Sequence, residues 1–213
     1  MLARTQDYVR GLLCSEPTGH DWWHAERVRS LAKHIAMQEG ADVFVVELAA
    51  LLHDVADAKF TGSDESGPRA AREWLTALSV EPKTVESVAD IIGRMSYRGA
   101  LVPAEPLSVE GQCVQDADRL DAMGAIGVAR TFAYGGYVHR PLYDPDVTPE
   151  MHATPAAYRN NVGTTINHFH EKLLLLRDRL HTESARRIAV RRHDFMVRFL
   201  DQFHAEWDGA VGS

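Results

Sequence analysis

The 213 residues carry 30 acidic against 23 basic side chains, a formal net charge of −7, which argues against a primary nucleic-acid binder because such proteins need a cationic excess to displace counterions. The length suffices for one well-filled core without forcing a second. With only two cysteines, Cys14 and Cys113, each in a helical register among apolar neighbours, a reduced intracellular compartment is expected rather than a disulfide-held secreted fold.

Periodicity is helical almost throughout, without sustained strand-type alternation. It predicts an all-α single domain over 1–213 of about eight helices, with a core at about 20–125 and C-terminal helices at about 154–207 packing on it. The N-terminal segment MLARTQDYVRGLL is interrupted by Asp7 and two arginines and lacks the apolar core of a signal peptide. No stretch approaches the roughly 20 apolar residues of a membrane span, so a soluble cytoplasmic protein is expected. A first helix covers about 2–14 and stops at Pro17-Thr18-Gly19. Helices at 22–39 and 44–58 follow, separated by Gly40-Ala41-Asp42, and a loop with Gly62, Gly67 and Pro68 comes next. Helices near 68–78 and 82–95 are predicted, the latter opening on a proline whose missing N–H costs nothing there. Ser108 is the expected N-cap of a helix running to about 133. The long irregular stretch 135–153 has the character of a lid or a contact surface, a possible homodimer contact included. Thr154 and Pro155 should open a helix through 180, and Thr182 a last helix whose Ile188, Phe195, Phe199, Phe203 and Trp207 form an inner stripe. The basic run Arg186, Arg187, Arg191 and Arg192 is either a solvated face or a subunit contact.

Within these helices four polar residues occupy apolar registers. His24 falls in line with Val28, Leu31 and Ile35; His53 lies four residues past Ala49 and seven past Val46, with Asp54 beside it. Asp118 lies four residues from Val114 and from Ala122, and seven from Ala125. A lone inward histidine is ordinarily a core residue bonded to a carbonyl, and a lone inward aspartate a cap or ion-pair partner. Three helices each placing such groups inward point instead to a shared partner, because desolvating an unpaired carboxylate is costly. A divalent cation is the simplest one.

The order His24, then His53-Asp54, then Asp118 resembles the HD-domain metal-dependent phosphohydrolases. The segments GHDWWHAERV, LLHDVADAKF, VQDADRLDAMGAIGVAR and EKLLLLRDRL resemble its small bacterial nucleotide-hydrolysing members, over nearly the whole chain. The resemblance implies an HD-domain helical bundle with His24, His53, Asp54 and Asp118 as metal ligands. It selects Asp118 over its neighbours Asp116 and Asp121 through the pattern Asp118-Arg119-Leu120. Asp121, on nearly the same face, could orient a ligand, whereas Asp116 points about 160 degrees away on a helix. The resemblance also places on Asp57 the acid that serves the reacting water, one helical turn after His53; the alternative for Asp57 is a helix-end carboxylate paired with Lys59 or an arginine. His20 and Asp21 are implied as leaving-group or supporting partners. Lys59, Arg27, Arg94 and Lys172 are candidate substrate contacts, although each alone could equally be a surface charge.

Two imidazoles and two carboxylates suit Mn2+, Mg2+, Co2+, Ni2+ or Fe2+ without choosing among them. From Val55 to Ala117 there is no histidine, which favours one metal ion over the dinuclear members of the superfamily. Ala58 stands where alarmone hydrolases carry a second acid, which lowers that substrate class. The resemblance alone implies a (deoxy)nucleoside triphosphate pyrophosphohydrolase giving monophosphate and pyrophosphate. A nucleoside monophosphatase or phosphodiesterase on the same scaffold, or a catalytically silent nucleotide-binding module, are the alternatives.

Overall fold

The computed structural model describes residues 1–14, 19–56, 65–97, 99–103, 105–159 and 163–209. Among them it is all-helical, with ten α-helices and one 3-10 segment. In chain order these are α1 (Leu2–Leu13), α2 (Trp22–Glu39), α3 (Val43–Leu52), α4 (Ser66–Ala77), α5 (Pro82–Arg94), α6 (Val109–Asp121), α7 (Gly124–Tyr137), α8 (Pro155–Arg159), α9 (Thr165–Glu171), the 3-10 segment Leu173–Arg179, and α10 (Glu183–Trp207). The expected all-α class is borne out, with a few more helices than predicted. No helix among the described residues is long and apolar enough to cross a membrane.

Two compact units are present. One comprises Met1–Tyr97, Pro103–Asp118 and His181–Ala185; the other comprises Arg98–Val102, Arg119–Leu180 and Arg186–Ser213.

The first unit is built around α3, whose sequence VFVVELAALL is buried from Val45 to Leu52. Leu48, Leu51 and Leu52 are fully buried, each worth roughly 1.5–3 kcal/mol of transfer free energy. Helices α2, α5 and α1 pack against α3. Asp42 caps α3 by accepting the N–H groups of Phe44 (2.9 Å) and Val45 (3.3 Å). One acid interrupts the apolar run: buried Glu47 accepts from Arg29 and lies 3.4 Å from Lys33 Nζ, so its charge is compensated rather than stranded. Gly40, at φ 70°, ends α2 in the left-handed conformation that lets its N–H reach the Ala36 carbonyl. Ser108 caps α6 as predicted, its hydroxyl accepting the Gly111 N–H at 3.2 Å.

The structure departs from the periodicity in four places, each with a local cause. Helix α3 stops at Leu52 instead of running on to 58, and Ala56 has φ 60°, which a continuing helix cannot accommodate. The predicted helix 108–133 is two helices, α6 and α7, meeting at Gly124 with φ 70°. A Cβ at Gly127 would stand 2.2 Å from the Ala122 carbonyl oxygen, so the sharp corner is available only to glycine there. The predicted helix 154–180 is three short pieces. Thr154 does cap the first, accepting from Ala157 N–H at 3.2 Å, but Thr164 opens a second by accepting from Asn167 N–H at 3.1 Å, and Lys172, at φ −142°, breaks the chain again before the 3-10 segment. In α10 the buried face is Ala185, Ala189, Met196 and Leu200. Phe195 is exposed; Phe199, Phe203 and Trp207 lie on a flank where they join Phe132, Phe169 and Tyr143 in ring contacts. An aromatic stripe and a stripe of smaller or unbranched side chains run side by side along α10, and the second is the inner face.

Both cysteines are free thiols. Cys14 is exposed at the end of α1, contrary to its expected apolar setting, whereas Cys113 is fully buried on α6. Burial, reinforced by the charges of Asp116, Glu39 and Glu110, pushes the Cys113 thiol up to about 12, so almost no thiolate exists there at pH 8. A thiol reagent is expected to modify Cys14 rapidly in the native protein and Cys113 only on unfolding; mass spectrometry before and after denaturant checks this, and rapid native labelling of Cys113 would contradict it.

Candidate metal centre

Three helices of the first unit deliver the site. His24 lies on the first turn of α2, and its own backbone N–H is the group that is capped, donating to Asp21 Oδ1 at 2.8 Å. The cap residue Asp21 thereby fixes the turn that carries His24. That side chain is fully buried, as its register with Val28 and Ile35 requires. His53 follows directly after the last residue of α3, and its Nδ1 lies 2.8 Å from the Ala50 carbonyl. A carbonyl only accepts, so Nδ1 carries a proton and Nε2 is the ring nitrogen left to face the site. Asp54 comes next in the same turn and is buried. Asp118 arrives from α6 with its side chain 36% exposed, more open than its apolar register predicted, since Ala125 lies beyond the break and faces solvent.

These groups converge on one point. His24 Nε2 is 3.2 Å from His53 Nε2, 3.2 Å from Asp54 Oδ2 and 3.5 Å from Asp118 Oδ1. His53 Nε2 is 3.5 Å from Asp54 Oδ2 and 3.8 Å from Asp118 Oδ1. Ligand atoms of His24, His53 and Asp118 all lie within 4.8 Å of one another, an arrangement that could hold a metal ion. Among the described residues Asp54 Oδ2 is a buried oxygen without a hydrogen-bond partner, a situation that costs about 1–3 kcal/mol or more for a charged group unless something else satisfies it. Burial by itself would push the Asp54 carboxyl up; the charge of His53, with help from His24 and His20, outweighs it and holds the group well below the usual carboxylate range. A buried, ionised, orphaned oxygen beside two imidazole nitrogens is what a cation would satisfy, and the mixed nitrogen and oxygen donors suit a divalent first-row ion or Mg2+.

The remaining predicted residues divide. The structure brings His20 to the site, its ring centroid 5.7 Å from that of His24 in an edge contact. Arg27 is half-buried one turn along α2 from His24. Asp57 and Lys59 lie outside the described residues; the expected continuation of α3 that put Asp57 on the face of His53 is replaced by the turn at Ala56. Asp21 is accounted for by its cap. Arg94 is exposed and donates to Asp90 at 2.6 Å. In the second unit Asp121 is buried and accepts from Arg130 at 2.9 Å, while Lys172 stands 6.0 Å from the centre of the Tyr158 ring. Two contributors were not anticipated. The Ala50 carbonyl that sets the His53 tautomer is a backbone group and leaves no side-chain signal. Asp116 accepts the His181 N–H (2.9 Å to Oδ1), the Thr182 N–H (2.7 Å) and the Thr182 hydroxyl (2.8 Å). Its predicted turn away from Asp118 was the available clue.

The HD domain family pattern matches residues 22–123, a span holding all four of these side chains. The chain is 39% identical to the Bacillus subtilis protein YpgQ over 203 residues, 95% of this chain and 91% of that protein. The crystal structure of YpgQ in complex with ADP superposes with a TM-score of 0.76 at 34% identity, covering 97% of each chain. A Lactobacillus plantarum structure matches with a TM-score of 0.87 at 40% identity over 98% of this chain and 97% of that one. A Bacillus thuringiensis protein described as an HD-superfamily hydrolase gives 0.74 at 42% identity over 97% and 96%. Full-length similarity at these identities, with the imidazoles and carboxylates converging in space, places the chain in the HD-domain family of metal-dependent phosphohydrolases.

Proposed function

We propose that the protein hydrolyses nucleoside triphosphates, deoxy forms included, to the monophosphate and pyrophosphate, with one divalent ion held by His24, His53, Asp54 and Asp118. The observation that carries this reading is the approach of the Asp54 and Asp118 carboxylates to the paired imidazole nitrogens of His24 and His53, at 3.2 to 3.8 Å. The nucleotide class is supported by the ADP complex of YpgQ, and a single ion by the absence of histidine between Val55 and Ala117.

When bound, the ion supplies Lewis-acid polarisation of a phosphoryl oxygen and a lowered pKa for attacking water. The chain's own residues do the rest. The Ala50 carbonyl holds the His53 ring by its Nδ1, so that Nε2 is the nitrogen presented to His24, Asp54 and Asp118. Asp57 takes the role of orienting and deprotonating the nucleophilic water. His20, beside His24, can hand a proton to the departing phosphate oxygen. Arg27 and Lys59 supply positive charge to the phosphate chain.

The test is a screen of chelator-stripped protein reloaded with Mn2+, Mg2+ or Co2+ against nucleoside tri-, di- and monophosphates, with separate detection of pyrophosphate and orthophosphate. Pyrophosphate released from triphosphates is the expected result. Orthophosphate from monophosphates would replace this reading with a monophosphatase, and inactivity with every metal and substrate would overturn it in favour of a silent nucleotide-binding module.

A further inference from the structure

One face of α6 runs from the body of the first unit to the metal centre. Gly111, Gln115 and Asp118 follow one another at spacings of four and three residues, so they share that face. At its start α6 lies close on α5: a Cβ at Gly111 would stand 3.3 Å from Ile91 Cγ1. At its end Asp118 Oδ1 is 3.5 Å from His24 Nε2 and 3.8 Å from His53 Nε2. Between them sits Gln115, a polar side chain only 2% exposed.

Both ends of the Gln115 amide are engaged. Its Nε2 donates to the Met95 carbonyl at 2.7 Å. Met95 closes α5, so this carbonyl is one of the helix-end acceptors that have no partner inside their own helix. A carbonyl only accepts, which fixes the amide orientation and turns Oε1 toward the His181 ring, 2.6 Å from its Nε2. His181 Nε2 therefore carries a proton and donates. The backbone N–H of the same His181 goes to Asp116 Oδ1 at 2.9 Å. Gln115 thus binds two segments, the end of α5 and the residues leading into α10, that lie 20 and 66 positions away in the chain. The two neighbours on α6 serve different ends. Asp116 projects about 100 degrees round the helix from Gln115 and holds the backbone of His181 and Thr182. Gln115 lies only about 60 degrees from Asp118, one turn before it.

We propose that Gln115 is a positioning residue for the metal centre: by tying α6 to the end of α5 and to His181, it fixes the rotation of the helix that presents Asp118. Asp118 stands in the last turn of α6, and the ends of helices fray unless something beyond their own backbone bonds holds them. A side-chain atom about 5–6 Å from the helix axis moves by about 1 Å when the helix turns by roughly 10 degrees. Coordination distances are fixed to within about 0.2 Å, so a shift of that size is felt by a bound ion. The inference rests on the reading of Asp118 as a ligand of that ion.

Mn2+ itself is the probe: electron paramagnetic resonance of the free ion follows its titration into the chelator-stripped full chain, with no substrate and no turnover involved. Gln115→Met removes both hydrogen bonds with an unbranched side chain of similar size. Asp116→Ala is the control for lost stability, because it breaks buried hydrogen bonds on the same helix. Gln115→Met is expected to raise the Mn2+ dissociation constant at least about tenfold, the scale on which groups that orient metal ligands act. Asp116→Ala is expected to leave that constant nearly unchanged despite a lower melting temperature. Gln115→Asn keeps both polar groups on a shorter arm; it should fall between wild type and Gln115→Met, and it carries the comparison should the methionine variant not fold. Unchanged affinity in Gln115→Met, or in Gln115→Asn where it stands in, would overturn the positioning role and leave the metal centre intact. Equal weakening in Asp116→Ala would do the same, by showing that lost stability alone loosens the site. No Mn2+ binding by the wild-type chain at millimolar ion would overturn the metal reading, and this inference with it.

Discussion

Asp118→Asn is expected to lower metal-dependent turnover by about three orders of magnitude while barely changing the stability of the metal-free protein. The reasoning separates two properties of one side chain. Asp118 Oδ1 stands 3.5 and 3.8 Å from the two imidazole nitrogens, and the amide that replaces it has no charge to offer a cation. Loss of several kcal/mol of charge stabilisation at a reacting phosphoryl group, of which about 4 kcal/mol corresponds to a thousandfold in rate, follows. Stability is a different matter because the side chain is 36% exposed, so the substitution leaves no buried orphan and should cost no more than about 0.5 kcal/mol. In the metal-free protein it even removes a negative charge near Asp54. Elemental analysis of metal content, kcat and the melting temperature in chelator check the three parts of the expectation together. Full turnover with normal metal content would remove Asp118 from the site.

Asp116→Ala, two residues away on the same helix, is expected to do the reverse. The Asp116 carboxylate is fully buried and receives the N–H groups of His181 and Thr182 and the Thr182 hydroxyl, with the His181 N–H shared between both oxygens at 2.9 and 3.0 Å. It acts as a long-range helix cap, because Thr182 in turn accepts the Ala185 N–H at the start of α10 through its own hydroxyl at 3.3 Å. Truncation strands at least two buried donors, each costing about 1–3 kcal/mol, and leaves a void at a site with no room for water to be assumed. A loss of roughly 3–5 kcal/mol is expected, which for a chain of this size lowers the melting temperature by roughly 10 °C. Asp116→Asn, which retains one acceptor oxygen, should recover part of it. Turnover per folded molecule should fall far less than in Asp118→Asn, since Asp116 points away from the imidazoles. A melting temperature unchanged by Asp116→Ala would show that the three hydrogen bonds contribute nothing net.

The contrast between these two aspartates shows where sequence reasoning succeeded and where it could not. Helical periodicity puts Asp116 and Asp118 on nearly opposite sides of α6, and that much is borne out. It does not say what each side meets. The partners of Asp116 lie 65 and 66 positions later in the chain, and only a folded chain brings them together. The helix breaks at Ala56, Gly124 and Lys172 were hidden for a related reason. Each is a local backbone choice that competing periodicities of similar strength do not reveal, and glycine at 124 is as compatible with a helix interior at modest cost as with a corner. The C-terminal helix misled in another way. Its aromatic residues outweigh Ala185 and Ala189 in any hydrophobicity argument, yet the small side chains are the ones that let neighbouring backbone approach closely, and they are the ones buried.

The linear order of residues sufficed for the all-helical class, the caps at Ser108 and Thr154, and the three helices that carry His24, His53-Asp54 and Asp118, because capping and amphipathic register are short-range properties written into neighbours a few positions apart. Only the tertiary structure decided that the carboxylates come within 4 Å of the imidazole nitrogens, that the Ala50 carbonyl turns the His53 Nε2 toward the others, and that Asp54 keeps a buried oxygen without a partner among the described residues. Convergence of that kind depends on how helices pack across long loops, and packing depends on the sum of many weak contacts that no single spacing encodes.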